Sequence, residues 1–376
     1  MKNFHAIIFF LEISILDLLE VGGISVDGRM MARIQAWGSN QYGQLGYDGL
    51  DSLIPTSPKI IHNLEPGSIR QLALGGGHSL ALDTEGIVWS WGWNAKGQLG
   101  RNSHDTESCD ALPVGGLPSC HIVSAGHEES FAIDDSHCLW AFGKGRSVAY
   151  KVTEHLGLGE EGFQDADGGV FHAAAATIDG SCIFWGKHAV IPDEDAAVRQ
   201  IGGDTIRWKP PDGSKVVQVA CGWKHTVMLD NLGRVWGVGS NKHGQLGRHI
   251  ERSIPFPKLI GDLNFKEVSK IDAGWSHTVV LYLDHTLSAI GRNNFGQCSA
   301  FEGCWDDMCA GSEMVLACRG SKLFAAGWNE HGNLGTGDTE NRFCPTQVPV
   351  ILYSSKLFCA GGGHCAAVTT NQSFTQ

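Results

Sequence analysis

Apolar runs too short for helices recur along the chain, and each is bounded by glycine or by an acidic or amide turn residue. SLAL after His78 is followed by the turn Asp83 to Gly86 and a second run, IVWSW. The same order returns around Asp179-Gly180 and around Asp230 to Gly233. Two short runs joined by such a turn predict a β-hairpin.

The hairpins repeat. One phrase appears as AWGSNQYGQLG (36–46), SWGWNAKGQLG (90–100), GVGSNKHGQLG (237–247), AIGRNNFGQCS (289–299) and AAGWNEHGNLG (325–335). Shorter copies are AFGKG (141–145) and FWGKH (184–188). The phrase glycines are Gly38, Gly92, Gly143, Gly186, Gly239, Gly291 and Gly327, with steps of 54, 51, 43, 53, 52 and 36 residues. A second phrase, Gly-x-x-His before an apolar run, starts at Gly75, Gly126, Gly169, Gly222, Gly274, Gly311 and Gly361, with the histidine replaced by Glu129 and Met314. From the first five of these glycines to the next first-phrase glycine the distance is 17 residues, and from the sixth it is 16. Seven sheets of this size cannot each bury two faces alone, so they must pack radially. The expected fold is all-β, a seven-bladed β-propeller over 32–376, with the N-terminal strand at Trp37-Gly38 completing the last blade. The third and sixth units, begun at Gly143 and Gly291, are short and worn, and no interval between phrases holds an obvious additional hairpin.

Composition agrees with many turns: 50 of 376 residues are glycine, about 13% against the usual ~7%. The formal net charge of −12 argues against nucleic acid as a partner, because a phosphate backbone calls for a basic surface. The twelve cysteines contain no CxxC pair and read as reduced, mostly buried thiols. Cys304 and Cys309 lack the further pair that a metal site needs, so no metal or cofactor is expected. Near the start, Glu12, Asp17 and Glu20 interrupt the most apolar stretch, which predicts neither a membrane-spanning helix nor a signal peptide. Residues 1–31 read as a non-core extension. GLGEEG (157–162) places two acids where a pyrophosphate would approach and is not a nucleotide loop.

The phrases WGxNxxGQLG and GxxHS/T resemble the repeat of the regulator of chromosome condensation family over roughly 34–376. Segments 221–247 and 327–338 look most like its secretion-regulating branch of guanine nucleotide exchange factors. The resemblance implies a propeller whose one end grips a small GTPase and loosens its nucleotide, or a scaffold for secretion and vesicle-tethering proteins. It also implies a monomer in the cytoplasm, with the nucleus as a second location. Relatives use acids within the Gly-x-x-His phrase. The slots before histidine hold only Glu128 and Glu313, each where the histidine itself is lost. The Gly-Trp-x-His-Thr pattern is also similar to that of the plant ultraviolet-photoreceptor propellers, but neither tryptophan here is followed by arginine and the third slot is Ser312, so photoreception is not expected.

Five histidines, His78, His172, His225, His277 and His364, share one position in the repeat and are expected to be fold-forming hydrogen bonders, with partner contact as the alternative for His225 or His277. Trp37, Trp89, Trp91, Trp140, Trp185 and Trp236 are expected to pack between blades. Trp223 and Trp275 sit instead in the loop of the second phrase, beside Lys224, where an aromatic pair next to a cation makes a binding hot spot. The candidate partner-binding set is therefore Glu128, Glu129, Trp223, Lys224, His225, Trp275 and His277, with no catalytic residue.

Overall fold

The computed structural model describes residues 32–47, 55–61, 64–187, 198–202, 204–248 and 251–370; the extension read over 1–31 lies outside them. Seven antiparallel sheets follow one another around an axis, each touching the next, and the seventh touches the first. The fold is a seven-bladed β-propeller. Blade 1 is built from Ile69–Leu74, His78–Asp83, Val88–Trp93 and Glu107–Pro113. Blade 7 joins Phe358–Ala360 and His364–Thr370 to the N-terminal Ala32–Gly38 and Lys59–Ile61, with Ala32 opposite Thr370 and Gly38 opposite His364.

The described core is not one cluster but seven, each lying in the gap between two neighbouring blades. Leu80, Val88, Val123 and Phe142 fill the gap between blades 1 and 2, and Val227, Ile254, Leu263, Ile271 and Val280 that between blades 4 and 5. A strand second from the axis is covered on both faces, which is why His78–Asp83, His172–Thr177, His225–Asp230 and His277–Tyr282 are buried at every position and read as continuous runs rather than alternating ones. The turn acids close the hairpins. Asp83 accepts hydrogen bonds from the N–H groups of Glu85 and Ile87 and from Trp89 Nε1, and Asp134 and Asp230 repeat the arrangement with Trp140 and Trp236.

The two short units have different causes. After Gly143 the chain turns back at once into Arg146–Lys151 and a one-turn helix, Val152–Leu156, which replace the long loop of other units. After Gly291 no fourth strand forms among the described residues, where blade 5 consists of Val268–Ala273, His277–Tyr282 and Leu287–Gly291. Blade 3 carries five strands instead. Outside Cys182–Gly186 lies Thr205–Trp208, and outside that Val198–Gly202. This corrects the expectation that no interval holds an additional hairpin. The signal was weak because the segment carries neither phrase of the repeat.

Candidate functional site

Both phrases of the repeat meet at one hydroxyl. In WGxNxxGQLG the asparagine folds the loop on itself: Asn40 Oδ1 accepts from Leu45 N–H at 2.9 Å, and Asn94, Asn241 and Asn329 do the same for Leu99, Leu246 and Leu334. The loop glutamine then offers its backbone carbonyl to the serine or threonine that follows the histidine slot of the next blade, a slot that Glu129 fills in blade 2. Ser79 Oγ donates to Gln44 O, Ser130 Oγ to Gln98 O and Thr278 Oγ1 to Gln245 O, each at 2.8 Å.

A hydroxyl whose proton is already given must accept from anything else nearby. Its second neighbour is Nε2 of the preceding blade's histidine, at 2.8 Å for His78 and Ser130, 2.8 Å for His172 and Thr226, 3.3 Å for His225 and Thr278, and 3.1 Å for His364 and Ser79. For His78, His225 and His364 the shared hydroxyl's bond to the glutamine carbonyl assigns the ring proton to Nε2. Burial pushes the imidazoles down, to about 3 for His78 and His225 and about 4 for His277 and His364, so all four are neutral. The phrase glycine makes room for them: a Cβ on Gly274 would stand 2.0 Å from His277 Cε1 and 2.4 Å from Gly311 O.

Locking glycine and histidine into the wall leaves the two residues between them at the mouth of the central channel. Blades 7 and 1 present Gly362-Gly363 and Gly76-Gly77, while blades 2 to 6 present His127-Glu128, Val170-Phe171, Trp223-Lys224, Trp275-Ser276 and Ser312-Glu313. A row of rings crosses this mouth. Trp223 and Trp275 meet edge to face at 4.9 Å, Trp275 reaches His127 at 6.5 Å, His127 meets Trp93 at 6.4 Å, and Trp93 stacks on Tyr42 at 5.5 Å. Trp275 thus bridges blades 5 and 2, across the axis rather than along the rim. Lys224 Nζ lies 5.4 Å from the Phe171 ring, within cation–π range. Trp223, Phe171 and Tyr42 are 39%, 37% and 36% exposed, unusual for large aromatics brought together.

Below the mouth the channel encloses about 260 Å³, and its polar side chains stitch adjacent blades. Gln71 exchanges two hydrogen bonds with the Val123 backbone, and Gln218 two with Ile271. Asp165, Asp167 and Asp272 accept from the N–H groups of Val219, Cys221 and Ala310. Desolvation raises Asp165 and Asp167 to about 7.

The structure brings Trp223, Lys224, Trp275 and Glu128 to the same mouth, with Trp223 and Lys224 exposed and Trp275 and Glu128 half-buried. It does not bring the other three candidates within a partner's reach. His225 and His277 are inside the wall, 1% and 0% exposed; His225 is linked to Thr278 of the next blade, and His277 is packed against its phrase glycine with no hydroxyl partner. Glu129 fills the histidine slot of blade 2 and is 3% exposed, tied to Lys144 Nζ at 2.6 Å and Tyr150 Oη at 3.2 Å. Glu313 is likewise buried against Arg292 and Gln297. Sequence reasoning missed Tyr42, Trp93, His127 and Phe171. The first two lie in or beside first-phrase loops, and only the ring geometry carries them to the mouth.

Comparison with known proteins gives this geometry a context. The regulator of chromosome condensation (RCC1) repeat matches residues 33–82, 85–133, 233–281 and 321–368, more than half of the chain. The ultraviolet-B receptor UVR8 of Arabidopsis thaliana is 28% identical over 88% of this chain and 79% of its own. The secretion-regulating guanine nucleotide exchange factor of Bos taurus is 26% identical over 90% of this chain and 83% of its own. Among solved structures, Prp20p of Saccharomyces cerevisiae, described with its binding properties to Gsp1p and histones, superposes with a TM-score of 0.77 at 19% identity, covering 93% of both chains.

Proposed function

The chain belongs to the regulator of chromosome condensation (RCC1) repeat family, and from that premise we propose that it is an interaction propeller that binds a small GTPase through the Gly-x-x-His mouth. The observation that carries this reading is the convergence of exposed Trp223 and Lys224 with Trp275 and Glu128 at one end of the channel, an aromatic anchor with a cation next to it and an acid in another blade at the same end. The name of the secretion-regulating guanine nucleotide exchange factor supports a GTPase as the partner and secretion as the setting. On this reading residues 32–376 are the working domain, monomeric and cytoplasmic with access to the nucleus, and 1–31 an extension.

Exchange is linkage: a protein that binds the nucleotide-free GTPase more tightly than the loaded form lowers nucleotide affinity by the same factor. An acid that displaces Mg²⁺ or competes for the phosphate-loop lysine does this. Glu128 is such an acid, with no salt bridge among the described residues. A second is Asp204, exposed at the tip of the blade 3 hairpin, which points to the same end because Phe184 pairs with Ile206 and His172 with Gly186. Loss of the other acids favours a second reading, an adaptor that binds without exchange, since Glu129 and Glu313 are neutralised by internal partners.

Release of mant-GDP from a panel of small GTPases, beside pull-downs, separates the two. Acceleration by the wild type, reduced about tenfold or more by Trp223→Ala and by Glu128→Gln, establishes exchange at the mouth. Binding without acceleration leaves the adaptor. Neither binding nor acceleration for any member ends the GTPase reading.

A further inference from the structure

Among the described residues six of the seven sheets have at least four strands, and blade 5 has three. We propose that the outer edge of blade 5, Leu287–Gly291, is a docking site at which an extended segment of a partner protein adds the missing fourth strand. This surface is separate from the mouth, and a GTPase panel without a binder leaves it intact.

The backbone direction comes first. Tyr282 N–H donates to Thr286 O and Arg292 N–H to Ser276 O, so the hydrogen-bonded pairs across the hairpin are 282 with 286, 280 with 288, 278 with 290 and 276 with 292. Leu287, Ala289 and Gly291 therefore turn their N–H and C=O groups away from the hairpin, and no strand among the described residues pairs with that side. Side-chain exposure agrees. The residue two before the first-phrase glycine is Ala36, Ser90, Ala141, Phe184, Gly237 or Ala325 in the other blades, and all six are buried. Ala289 alone at this position is half-buried, and the loop leucine packed beneath it elsewhere is replaced by half-buried Cys298.

The sequence of the edge supports the same reading. Strands that end a sheet are protected by proline or charge against unwanted pairing, and the outermost strands here obey: SIPFPKL in blade 4, ESCDALP in blade 1, RSVAYK in blade 2 and RFCPTQVPVI in blade 6. Leu287–Gly291 reads LSAIG, with neither proline nor charge. It is an interior strand left at an edge.

The occupant follows from size and chemistry. Five residues span about 17 Å, and pairing this edge with its copy in a second molecule would bury far less than the ~1,000 Å² of a stable dimer. A single extended peptide fits, held by backbone hydrogen bonds with side chains alternating between two gaps. On one side Leu287 and Ala289 adjoin the apolar cluster of Phe301 and Trp305; on the other Ile290 adjoins that of Ile254 and Leu263. The fitting segment is therefore uncharged at its centre and alternates bulky apolar residues.

Residue-resolved hydrogen exchange on the full chain is the first test. The amides of Leu287, Ala289 and Gly291 are expected to exchange about tenfold or more faster than those of Gly237 and Gly239, which blade 4 pairs to its fourth strand. Equal protection means that the edge is already covered and overturns the proposal. The second test selects random heptapeptides displayed on phage against the full chain. Enriched peptides are expected to lose binding about tenfold when alternate amides are N-methylated, and to lose it on Ala289→Pro, which removes the central edge N–H. The methylated peptides keep the test decisive if Ala289→Pro does not fold. A selection yielding no peptide with that alternate dependence, or a dimer that Ala289→Pro abolishes, overturns it.

Discussion

The junction between blades 1 and 2 and the junction between blades 5 and 6 begin with the same phrase and end differently. At the first, His78 Nε2 meets Ser130 Oγ at 2.8 Å. At the second, Val315 stands where a serine or threonine would, and Nε2 of His277 finds no hydrogen-bond partner. The difference teaches that Gly-x-x-His is half of a device whose other half is the hydroxyl one blade on. Where the histidine is lost the hydroxyl goes too. Glu129 is followed one blade on by Ala173, and Met314 by Cys365, whose sulfur lies 3.8 Å from the methionine sulfur. Only blade 5 keeps the histidine after its partner has gone.

The comparison breaks most severely at the glycines. Gly274→Val is expected to abolish soluble expression, since even a Cβ overlaps His277 and a neighbouring carbonyl; Gly115→Ala, with nothing within 4 Å, is expected to melt within a degree or two of wild type. His78→Ala comes next, at about 2–4 kcal/mol in urea unfolding from the cavity and the lost bond. His277→Ala is expected to cost about 1 kcal/mol less, because there is no inter-blade hydroxyl bond to lose. Equal costs would show that packing alone explains the motif.

Acid titration sharpens the same point. The histidine pKa values lie below the unfolded value, so their contribution is full above pH ~6.5 and is lost as pH falls toward the folded values of about 3 to 4. Asp165 and Asp167, raised to about 7, act oppositely and favour the fold below ~3.8, losing that contribution as pH rises through 7. Four histidines outweigh two carboxyls, so Tm measured by calorimetry is expected to be lower at pH 5 than at pH 7. Asp165→Asn with Asp167→Asn is expected to raise Tm more at pH 8 than at pH 5. The smallest effect is the repair. Val315→Thr gives His277 a hydroxyl and is expected to add up to about 1 kcal/mol, and a loss in urea unfolding would mean that the hydroxyl cannot reach the ring.

Much of this was legible in the chain. The 17-residue spacing predicted the paired strands, the seven phrase glycines predicted seven blades, and the shared position of the histidines predicted a structural role for them. The short step after Gly291 marked a defect without showing that it was a missing fourth strand. At the mouth, Trp223, Lys224 and Trp275 were found because they interrupt a phrase that otherwise repeats. Phe171 holds the same slot as Lys224 and was passed over, and Tyr42 and Trp93 lie outside that phrase.

The sequence by itself determined which residues form strands, how many sheets there are and which two residues of each unit lie between the phrase glycine and the histidine slot, because these depend on local turn chemistry and on a period that counting reveals. The tertiary structure alone decided which blade each histidine addresses, that Trp275 reaches across the axis to His127, that Glu129 is buried, and that one sheet ends on an interior strand. These are contacts between residues from about 15 to about 150 positions apart, or a surface left by a neighbour, and distance in space is set by pairing strands and closing the ring rather than by order along the chain.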